Sequence, residues 1–306
     1  MLRRLSAFAL ALLLLPVLHA DERIKVVSWN VENYLLQPAG TREAKSPGSR
    51  TKVHETLLTL RPDILALQEI GGRPALDALQ GALRAGGLDL PHAEFVTGWD
   101  TNIQVAVLSR FPFSARRPHT NDSFLLQGRR FRVSRGFAEV EIAVRPDYRI
   151  TLFNAHLKSR RQSPQADQAG LRLEEARLLR EKVDARLKAD PRANLLVAGD
   201  LNDTKDQPPI RALIGRGATA LVDARPSERN GDTGFTPNPR WQPRTIAWTH
   251  YYGVEDSYGR IDYFLVSPGL EKEWVREETY VHTVADWGLA SDHRPLVITF
   301  HVGDRR

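Results

Sequence analysis

The organisation of this chain is clearest in residues 194–203, which read Asn194-Leu195-Leu196-Val197-Ala198-Gly199-Asp200-Leu201-Asn202-Asp203. Four consecutive apolar residues followed by glycine and polar residues predict a short buried strand that ends at Gly199-Asp200. Asp200 and Asn202 then belong to the turn after the strand. Polar side chains in that position are available to a site at the rim of a sheet.

Buried strands that lead to a polar residue recur along the chain. We predict strands at residues 25–29, 63–67, 105–108, 137–144, 150–154, 194–198, 261–266 and 296–300. The polar residues that follow four of them are Asn30, Glu69, His156 and Asp200. Two acidic residues, Asp262 and Asp292, instead come just before or at the start of the last two strands. If all six side chains meet at one rim, the late strands must run opposite to the early ones, which favours mixed sheets over an all-parallel sheet.

Two helices and one long irregular region complete the predicted organisation. Residues 51–60 have helical apolar spacing, and residues 167–188 form a long amphipathic helix. The apolar face of the long helix carries Leu171, Leu178, Leu179, Val183 and Leu187. Residues 206–260 are rich in proline and aromatic residues, and we interpret them as an elaborated loop region. The pattern is α/β, with more strands than helices.

The composition excludes several classes of protein. The 306 residues are 42% hydrophobic and 26% charged, which is typical of a globular chain and not of a disordered one. Cysteine is absent, which excludes disulfides, thiolate catalysis and cysteine zinc sites.

The first twenty residues have the layout of a secretory signal peptide. Arg3 and Arg4 precede an apolar run at residues 5–15, and the residues that follow this run predict cleavage after Ala20. The alternative is an uncleaved anchor. We therefore expect a periplasmic or secreted protein, with residues 21–306 forming a single catalytic domain and no transmembrane segment in the mature chain.

The net charge favours an anionic substrate without requiring nucleic acid. Without the two arginines of the predicted signal peptide, the formal charge falls from +6 to +4. A local basic cluster consists of Arg129, Arg130, Arg132 and Arg135. Its alternative interpretation is a solvated face of a strand or hairpin.

The polar residues after the strands suit metal-assisted hydrolysis of a phosphoester. Taken singly, each has an ordinary structural explanation: His156 as a buried core histidine, for example, or Glu69 in a surface ion pair. No Gly-x-Ser-x-Gly nucleophile elbow occurs in the sequence. Oxygen-rich ligands without thiols suit Mg²⁺ or Mn²⁺, and a histidine held by a carboxylate can take a proton from water.

Six segments, in this order, resemble the endonuclease/exonuclease/phosphatase superfamily. They are Ser28-Trp29-Asn30-Val31-Glu32-Asn33, Gln68-Glu69, Asn154-Ala155-His156-Leu157-Lys158-Ser159, Gly199-Asp200-Leu201-Asn202-Asp203, Arg260-Ile261-Asp262-Tyr263 and Ser291-Asp292-His293-Arg294-Pro295. The resemblance spans residues 24–300. It implies a four-layer α/β/β/α sandwich of two packed mixed β-sheets flanked by helices.

The resemblance also implies roles for the polar residues. Asn30 and Glu69 match ligands of the divalent metal, and Asp292 matches a metal-proximal acid. Asp200 and Asn202 match a pair that contacts the scissile phosphate. His293 matches a general base or phosphate ligand oriented by Asp262. His156 matches a leaving-group acid or transition-state stabiliser of the deoxyribonuclease and sphingomyelinase branches.

Further candidates for substrate binding are Arg135, Lys158, Trp248 and His250, with Arg160 as a weaker one. Glu32 matches a position where some relatives carry an acidic residue near the metal. Arg135 matches a position where arginine can touch a phosphate, and the guanidinium fork suits that contact. Solvated loop charge is the alternative for Lys158 and Arg160, and local packing is the alternative for the aromatic residues of the 241–252 loop.

Because Asp292 and His293 are adjacent in the chain, their positions limit which carboxylate can orient the histidine. In extended backbone the side chains of Asp292 and His293 point to opposite faces. Asp292 is then poorly placed to orient His293, and a distant carboxylate such as Asp262 is needed.

The chemistry is better determined than the substrate. The first hypothesis is an exported nuclease or general phosphodiesterase that uses Mg²⁺, with Mn²⁺ or Ca²⁺ as other possible ions. The alternatives are a phospholipid or small-molecule phosphoesterase, and a binding module of the same fold without catalysis. We expect an anionic phosphoester substrate, no stable protein partner and a monomer.

Overall fold

A computed structural model describes residues 22–162, 166–230 and 245–303. The predicted signal peptide, Trp241 and most of the proline-rich stretch near it lie outside the described residues. Among the helices of these three ranges, none combines the length and the apolar character needed to cross a membrane.

The described residues contain six α-helices and seventeen strands. The helices are α1 (Pro47–Leu60), α2 (Arg73–Ala85), α3 (Gln168–Ala189), α4 (Pro208–Ile214), α5 (Pro268–Glu271) and α6 (Trp287–Ala290). The strands are β1 (Glu22–Tyr34), β2 (Ile64–Ile70), β3 (His92–Val96), β4 (Gln104–Ser109), β5 (Phe113–His119), β6 (Ser123–Leu126), β7 (Arg129–Arg132), β8 (Phe137–Arg145), β9 (Tyr148–His156), β10 (Leu195–Asp200), β11 (Val222–Asp223), β12 (Ser227–Glu228), β13 (His250–Tyr252), β14 (Ser257–Gly259), β15 (Asp262–Val266), β16 (Trp274–Val281) and β17 (Leu296–Val302).

Two large mixed sheets carry the fold. The first has the strand order β12-β16-β17-β1-β2-β4-β3, and the second has the order β11-β15-β10-β9-β8-β5. In the first sheet β1 and β2 are parallel, whereas β17 runs antiparallel to β1. In the second sheet β9 and β10 are parallel, whereas β15 runs antiparallel to β10. The late strands therefore oppose the early ones, as the positions of Asp262 and Asp292 predicted.

The alternation of apolar side chains along the strands produces the four layers. In β1, Ile24 and Val26 lie in the core between the two sheets, whereas Val27 and Trp29 point to the outer face. That outer face is covered by α1 and α2, through residues such as Leu57. The outer face of the second sheet is covered by α3 and α4. The predicted α/β/β/α sandwich is confirmed.

Local signals set the limits of the two long helices. The Ser46 hydroxyl accepts a hydrogen bond from the Ser49 N–H at 3.1 Å, and Pro47 starts α1 four residues before the predicted start. The Asp167 carboxylate caps α3 in the same way through the N–H of Gly170 at 2.8 Å. The spacing of apolar residues thus predicted that the two helices exist, whereas the capping residues determine where each helix begins.

The region 206–260 contains more regular structure than an elaborated loop. Its described part forms α4, the short strands β11 and β12, and a hairpin of β13 and β14. Strand β11 extends the second sheet beside β15, and β12 extends the first sheet beside β16. These elements are too short to show a period in the sequence, which is why the prediction missed them.

An amide bridge joins the two sheets beneath the rim that carries the polar residues. The Gln68 side chain donates from Nε2 to Asn154 Oδ1 at 2.8 Å. Asn154 Nδ2 in turn donates to the backbone oxygens of Leu67 and Ala106, each at 2.9 Å. Both amides are fully buried, so these hydrogen bonds are costly to break. The bridge fixes how one sheet sits against the other.

Gly199 allows β9 and β10 to pair closely beside Asp200. Its φ is +135°, and a Cβ at this position would lie 1.9 Å from the backbone oxygen of Ala155. We expect Gly199→Ala to destabilise the fold by about 3 kcal/mol or more, because it adds a clash to unfavourable backbone. Thermal unfolding should therefore occur about 6 °C or more lower.

Gly81→Ala is the matched control for that prediction. Gly81 lies inside α2, and no atom is within 4 Å of its hypothetical Cβ. The control should unfold at the same or a slightly higher temperature, because alanine favours helix over glycine. Equal unfolding temperatures for the Gly199 variant and the unmodified protein would contradict the close pairing of β9 and β10.

Candidate active site

Strand register brings the predicted residues to one rim of the sandwich. Asp200 at the end of β10 lies beside His156 of β9 on one side and beside Asp262 of β15 on the other. In the first sheet Asn30 of β1 lies beside Gln68, the residue before Glu69. Both sheets thus present polar residues at the same edge.

A continuous set of contacts around Asp200 connects the two sheets. Asn30 Nδ2 lies 3.0 Å from Asp200 Oδ2 and 3.3 Å from Glu69 Oε1. Asp200 Oδ2 also lies 3.4 Å from His156 Nε2 and 3.7 Å from His293 Nε2. Asn30, His156, Asp200 and His293 are all buried. Asp200 and the three predicted residues nearest to it therefore form one cluster.

Asp262 holds the imidazole of His293. His293 Nδ1 lies 2.8 Å from Asp262 Oδ2, and both side chains are buried. The Thr249 hydroxyl donates to the same carboxylate oxygen at 2.6 Å and accepts from the N–H of Ile261 at 3.1 Å. With Nδ1 engaged by Asp262, His293 directs Nε2 toward Asp200.

Backbone contacts fix the loop that carries His293. The Ser291 hydroxyl donates to the backbone oxygen of Asn30 at 2.7 Å and accepts from the N–H of His293 at 3.0 Å. The indole of Trp29 donates to the backbone oxygen of His293 at 2.9 Å. These bonds tie the loop to β1, which is why His293 lies beside Asn30 of the first sheet although it is remote in sequence.

Asp292 points away from Asp262, toward the side of the cluster formed by His250. Asp292 Oδ2 lies 3.6 Å from His250 Nε2, and Asp292 Oδ1 lies 3.8 Å from His293 Nε2. The backbone N–H of Asp292 donates to Glu32 Oε2 at 3.2 Å. The expectation that Asp292 and His293 point to opposite faces does not hold here, because Asp292 lies in a bend and its carboxylate is near the imidazole. The contact with Nδ1 nevertheless comes from Asp262.

The environment drives the pKa values of the two central histidines in opposite directions. Burial and the nearby cations Arg135 and Arg42 hold the pKa of His156 well below its ordinary value. Burial opposes charge on His293 too, but Asp262 and Asp200 outweigh it and raise its pKa well above the ordinary value. His156 is therefore neutral, whereas His293 binds a proton readily. Two titratable groups whose pKa values are shifted in opposite directions are typical of acid and base roles in one site.

The carboxyl of Asp200 is strongly affected by burial. Desolvation raises the pKa of Asp200 to about 7, with a further increase from Asp262, although Asn30 donates a hydrogen bond to the charged form. Positive charge at this position would favour the carboxylate. The rim is consequently a place where a bound cation is stabilised.

Strained backbone is concentrated at this rim. Glu32, Asn33, Glu69 and Asn202 all have positive φ, between 43° and 65°. Residues other than glycine adopt this conformation at a cost of about 1 kcal/mol or more, and such residues often occur at functional sites. At Glu69 the conformation turns the carboxylate so that Oε2 accepts the Asn33 N–H at 2.9 Å.

The donor set fits a hard divalent cation. Glu69 and Asp200 present carboxylate oxygens on either side of the Asn30 amide, the oxygen-rich chemistry that such ions prefer. In this arrangement Asn30 presents Nδ2 to both carboxylates, and its Oδ1 accepts from the Glu32 N–H at 3.0 Å. Asn30 would ligate an ion through oxygen only with its amide turned over.

Two further groups of residues have metal-binding geometry. Asp200, Asp262 and His293 offer ligand atoms within 4.8 Å of one another, and so do His250, Asp292 and His293. Asp292, which was predicted to accompany Asn30 and Glu69, belongs to the second of these groups. The rim thus offers more than one set of ligands for a divalent ion.

The predicted substrate-binding residues occupy different surroundings. Arg135 is buried beside the rim and donates from Nη1 to the backbone oxygen of Leu157 at 3.2 Å. Lys158 is half-buried next to it. His250 lies within the site, with its ring centroid 4.5 Å from that of His293. Trp248 instead packs edge-on against Tyr258 and Trp287, and its role toward a substrate stays a prediction.

The basic cluster of the sequence divides in the structure. Arg129, Arg130 and Arg132 lie exposed on the hairpin of β6 and β7, whereas Arg135 is buried at the rim. Arg160, the weaker candidate, forms an ion pair with Asp203 at 3.1 Å. The hairpin is a solvated face, and only Arg135 of the four belongs to the site itself.

Sequence reasoning missed several residues at the rim. Arg42 lies 3.9 Å from the Glu69 carboxylate, and buried Lys45 donates from Nζ to the Glu32 backbone oxygen at 2.8 Å. Thr249, which supports Asp262, was also missed. Arg42 and Lys45 come from the irregular segment between β1 and α1, where no strand or helix period marks a position. Their one sequence signal is proximity to the segment Asn30–Asn33.

The contact between Asp262 and His293 leads to a direct prediction. Asp262→Asn should lower kcat about 100-fold and leave KM within about threefold, because the imidazole loses its orienting carboxylate. Removing this negative charge also lowers the pKa of His293. The acidic limb of the pH–kcat profile should therefore move to lower pH. An unchanged kcat would remove Asp262 from this role, and Asp77→Asn, at an exposed carboxylate of α2, serves as a control for general damage.

The fold and this rim define a divalent-metal-dependent hydrolase of phosphoester bonds. A family model described as "Endonuclease/Exonuclease/phosphatase family" matches residues 27–293. The chain belongs to this family. The family is divalent-metal dependent, and the carboxylate and imidazole groups of the rim are able to hold such an ion. No curated protein sequence matches the chain significantly.

Solved structures share the fold at low sequence identity. The human Nocturnin catalytic domain with bound sulfate anion has a TM-score of 0.59 and 18% identity, over 92% of this chain and 95% of that one. Sphingomyelinase C from Streptomyces griseocarneus has a TM-score of 0.58 and 18% identity, over 92% and 100%. Truncated TDP2 from Caenorhabditis elegans has a TM-score of 0.57 and 17% identity, over 91% and 98%. At these identities the likeness concerns the fold alone.

Proposed function

We propose that this protein is an exported nuclease that hydrolyses phosphodiester bonds with a divalent ion, for which Mg²⁺ is the first choice. The observation that carries the proposal is the chain of contacts from Asp262 through His293 and Asp200 to Asn30 and Glu69. These contacts support the proposal because they bring an imidazole held by a carboxylate close to the carboxylates of Asp200 and Glu69.

The residues divide the reaction between them. His293 takes a proton from water at Nε2, while Asp262 accepts the hydrogen bond from Nδ1–H and stabilises the imidazolium. The water oxygen bonds to phosphorus as the opposite phosphorus–oxygen bond breaks. Neutral His156 donates a hydrogen bond to the departing oxygen, which leaves as the alcohol after taking a proton from solvent, and Asp200 and Asn202 position the phosphate. Glu69, together with Asn30 once its amide is turned over, would hold a divalent ion, and such an ion would supply positive charge to neutralise the phosphate.

An exposed basic surface next to the rim supports a nucleic acid substrate. The guanidinium of Arg132 lies 5.4 Å from the ring centroid of Trp99, which is 64% exposed. The N–H of Trp99 donates to the backbone oxygen of Val133 at 3.2 Å, so this pair is joined to the segment that leads to Arg135. A cation and an exposed ring side by side suit the backbone and bases of a single strand.

A second candidate function rests on the hairpin of β13 and β14. Tyr252, Val254 and Tyr258 are exposed there, close to His250, and an apolar surface beside the site would suit a phospholipid. Glu255 and Asp256 occupy the same hairpin and oppose insertion into an anionic membrane. The sphingomyelinase-like function is therefore the alternative.

One panel of substrates separates these functions. Purified protein is incubated with supercoiled plasmid DNA, single-stranded RNA, sphingomyelin vesicles and p-nitrophenyl phosphate, in Mg²⁺ and in EDTA. We expect cleavage of nucleic acid in Mg²⁺, loss of cleavage in EDTA, and no turnover of the lipid or the monoester. Lipid turnover alone would establish the alternative, and no hydrolysis of any substrate would favour a binding module.

Export and oligomeric state are parts of the same proposal. We infer that residues 1–20 are removed during secretion and that the remaining chain acts as a monomer without a stable protein partner. Expression of the full chain in a bacterial host should yield a periplasmic product whose mass corresponds to a first residue of Asp21. A cytoplasmic product of full mass would contradict export.

A further inference from the structure

Two arginines lie near a single carboxylate, Asp100, and a lysine lies close by, all near enough to His156 to affect its pKa. Arg42 Nη2 lies 3.9 Å and Arg135 Nε lies 3.7 Å from Asp100 Oδ2. Lys158 is close enough to Arg135 and Asp100 for both to affect its pKa, which burial and the Arg135 charge lower. We call Arg42, Arg135 and Lys158 the cationic pocket.

The cationic pocket is built by the backbone and is not a chance meeting of surface side chains. The N–H of Asp100 donates to the backbone oxygen of Ser134 at 2.7 Å, which holds Asp100 against the segment that carries Arg135. A Cβ on Gly98 would lie 2.5 Å from the backbone nitrogen of Gly136, so the two segments approach closely. The loop of Gly98 and Asp100 therefore packs directly against residues 134–136.

Glu175 of α3 accepts hydrogen bonds from both segments that carry the cationic pocket. Its carboxyl accepts hydrogen bonds from the N–H and the hydroxyl of Ser134, at 2.8 and 2.7 Å, and from the N–H of Lys158 at 2.6 Å. Burial raises the pKa of this carboxyl. Glu175 thus positions both cation-bearing segments, while its own acceptor atoms are occupied by neighbours other than the cations.

The cationic pocket has donor capacity in excess of its partners. Arg135 is 5% exposed, and its Nε is a buried donor without a hydrogen-bond acceptor among the described residues. Arg42 donates to Asn33 Oδ1, and its other nearby acceptors, on Glu69 and Asp100, lie 3.9 Å away. Buried donors of this kind ordinarily have a partner, and a guanidinium suits a phosphate oxygen.

We propose that the cationic pocket binds a second phosphate group, adjacent to the scissile phosphodiester of the same substrate. The inference rests on the proposed function and specifies its substrate class: a polyanion in which phosphates recur along the chain. The pocket lies beside His156, and the substrate pair that responds in the test below shows whether the second phosphate lies on the 3′ or the 5′ side of the scissile one. A substrate with a quaternary ammonium in that place would be repelled.

Matched chromogenic substrates test this proposal. Thymidine 5′-(p-nitrophenyl phosphate) is compared with the same compound carrying a 3′-phosphate, and thymidine 3′-(p-nitrophenyl phosphate) is compared with its 5′-phosphorylated form. We expect the added phosphate to raise kcat/KM about tenfold in one of the two pairs. In Arg42→Gln and in Lys158→Gln this ratio should fall to about one to three.

Arg177→Gln is the matched control. Arg177 is an exposed arginine of α3 that pairs with Glu174, remote from the rim. It should leave both the ratio and the rates unchanged. Arg42→Lys should recover part of the ratio, because it restores the charge without the fork. Thermal unfolding followed by circular dichroism identifies any variant that fails to fold. If Arg42→Gln does not fold, the comparison is made with Lys158→Gln.

Two results would overturn the cationic pocket as a phosphate subsite. One is a ratio near one for both pairs in the unmodified protein. The other is an equal loss for phosphorylated and unphosphorylated substrates in Arg42→Gln, which would show that Arg42 acts through Glu69 alone.

The failure of the proposed function gives a different result. If plasmid DNA and RNA are not cleaved but the phosphorylated nucleoside ester is still preferred, the nuclease proposal is wrong and the subsite stands. Inhibition of bis-p-nitrophenyl phosphate hydrolysis by thymidine 3′,5′-bisphosphate, compared with thymidine 5′-monophosphate, gives the same comparison without requiring nucleotide turnover. Equal inhibition by the two nucleotides would count against the subsite.

Discussion

Replacing His293 with alanine should lower kcat on a phosphodiester by about 10²–10⁴-fold, the range typical of a lost general base. The expectation follows from the position of Nε2, which is 3.7 Å from Asp200 Oδ2, while Nδ1 is held by Asp262 at 2.8 Å. Substrate affinity should change much less, because the imidazole acts on the attacking water and the transition state.

The pH profile is the sharper measurement for this variant. His293 must lose its proton to act as a base, and the neighbouring carboxylates raise its pKa well above the ordinary value. Activity of the unmodified protein should therefore rise with pH as the imidazole becomes neutral. In His293→Ala that limb should disappear, and added imidazole should restore part of the rate. A variant that keeps both the limb and the rate would remove His293 from the mechanism. His92→Ala, at the end of β3 that lies away from the rim, is the control.

Replacing Glu69 with glutamine should reduce both the affinity for divalent ions and the rate. Glutamine keeps the size of the side chain but removes the negative charge that Glu69 presents beside Asn30 and Asp200. A metal ion is worth several kcal/mol to phosphoryl transfer, so a loss of about 3 kcal/mol, or roughly a hundredfold in kcat/KM, is expected at moderate Mg²⁺.

Metal binding provides a test of Glu69 that does not depend on turnover. Titration calorimetry with Mg²⁺, or electron paramagnetic resonance with Mn²⁺, should show affinity about tenfold or more weaker in Glu69→Gln. Excess metal should recover part of the activity. Glu277→Gln, at an exposed glutamate of β16, should bind the ion as the unmodified protein does. Unchanged affinity in Glu69→Gln would move the metal to one of the groups around His293.

Much of the fold follows from the alternation of apolar and polar residues. The strands that lead to Glu69 and Asp200 begin with continuous apolar runs, which are simple to identify because they are buried on both faces. The antiparallel direction of β15 and β17 followed from the requirement that their polar residues meet the others. The sequence could therefore predict which residues share the rim.

The remainder of the site depends on contacts that no local pattern encodes. Arg42 and Asp100 lie in irregular segments, and they meet only because two loops from different parts of the chain pack together. Glu175 looks like an ordinary polar residue of an amphipathic helix, yet it is buried and holds Ser134 and Lys158. Such roles come from tertiary packing, which periodicity does not report.

The bridge between Gln68 and Asn154 has a consequence for how this protein loses activity. Each sheet carries half of the rim. A small shift of one sheet relative to the other would therefore separate Asn30 and Glu69 from Asp200 and Asp262 before either sheet unfolded. A ligand that spans the rim acts as a brace between the two halves. Mg²⁺ and a nucleotide added together should therefore protect the enzyme against heat inactivation more than the sum of their separate effects.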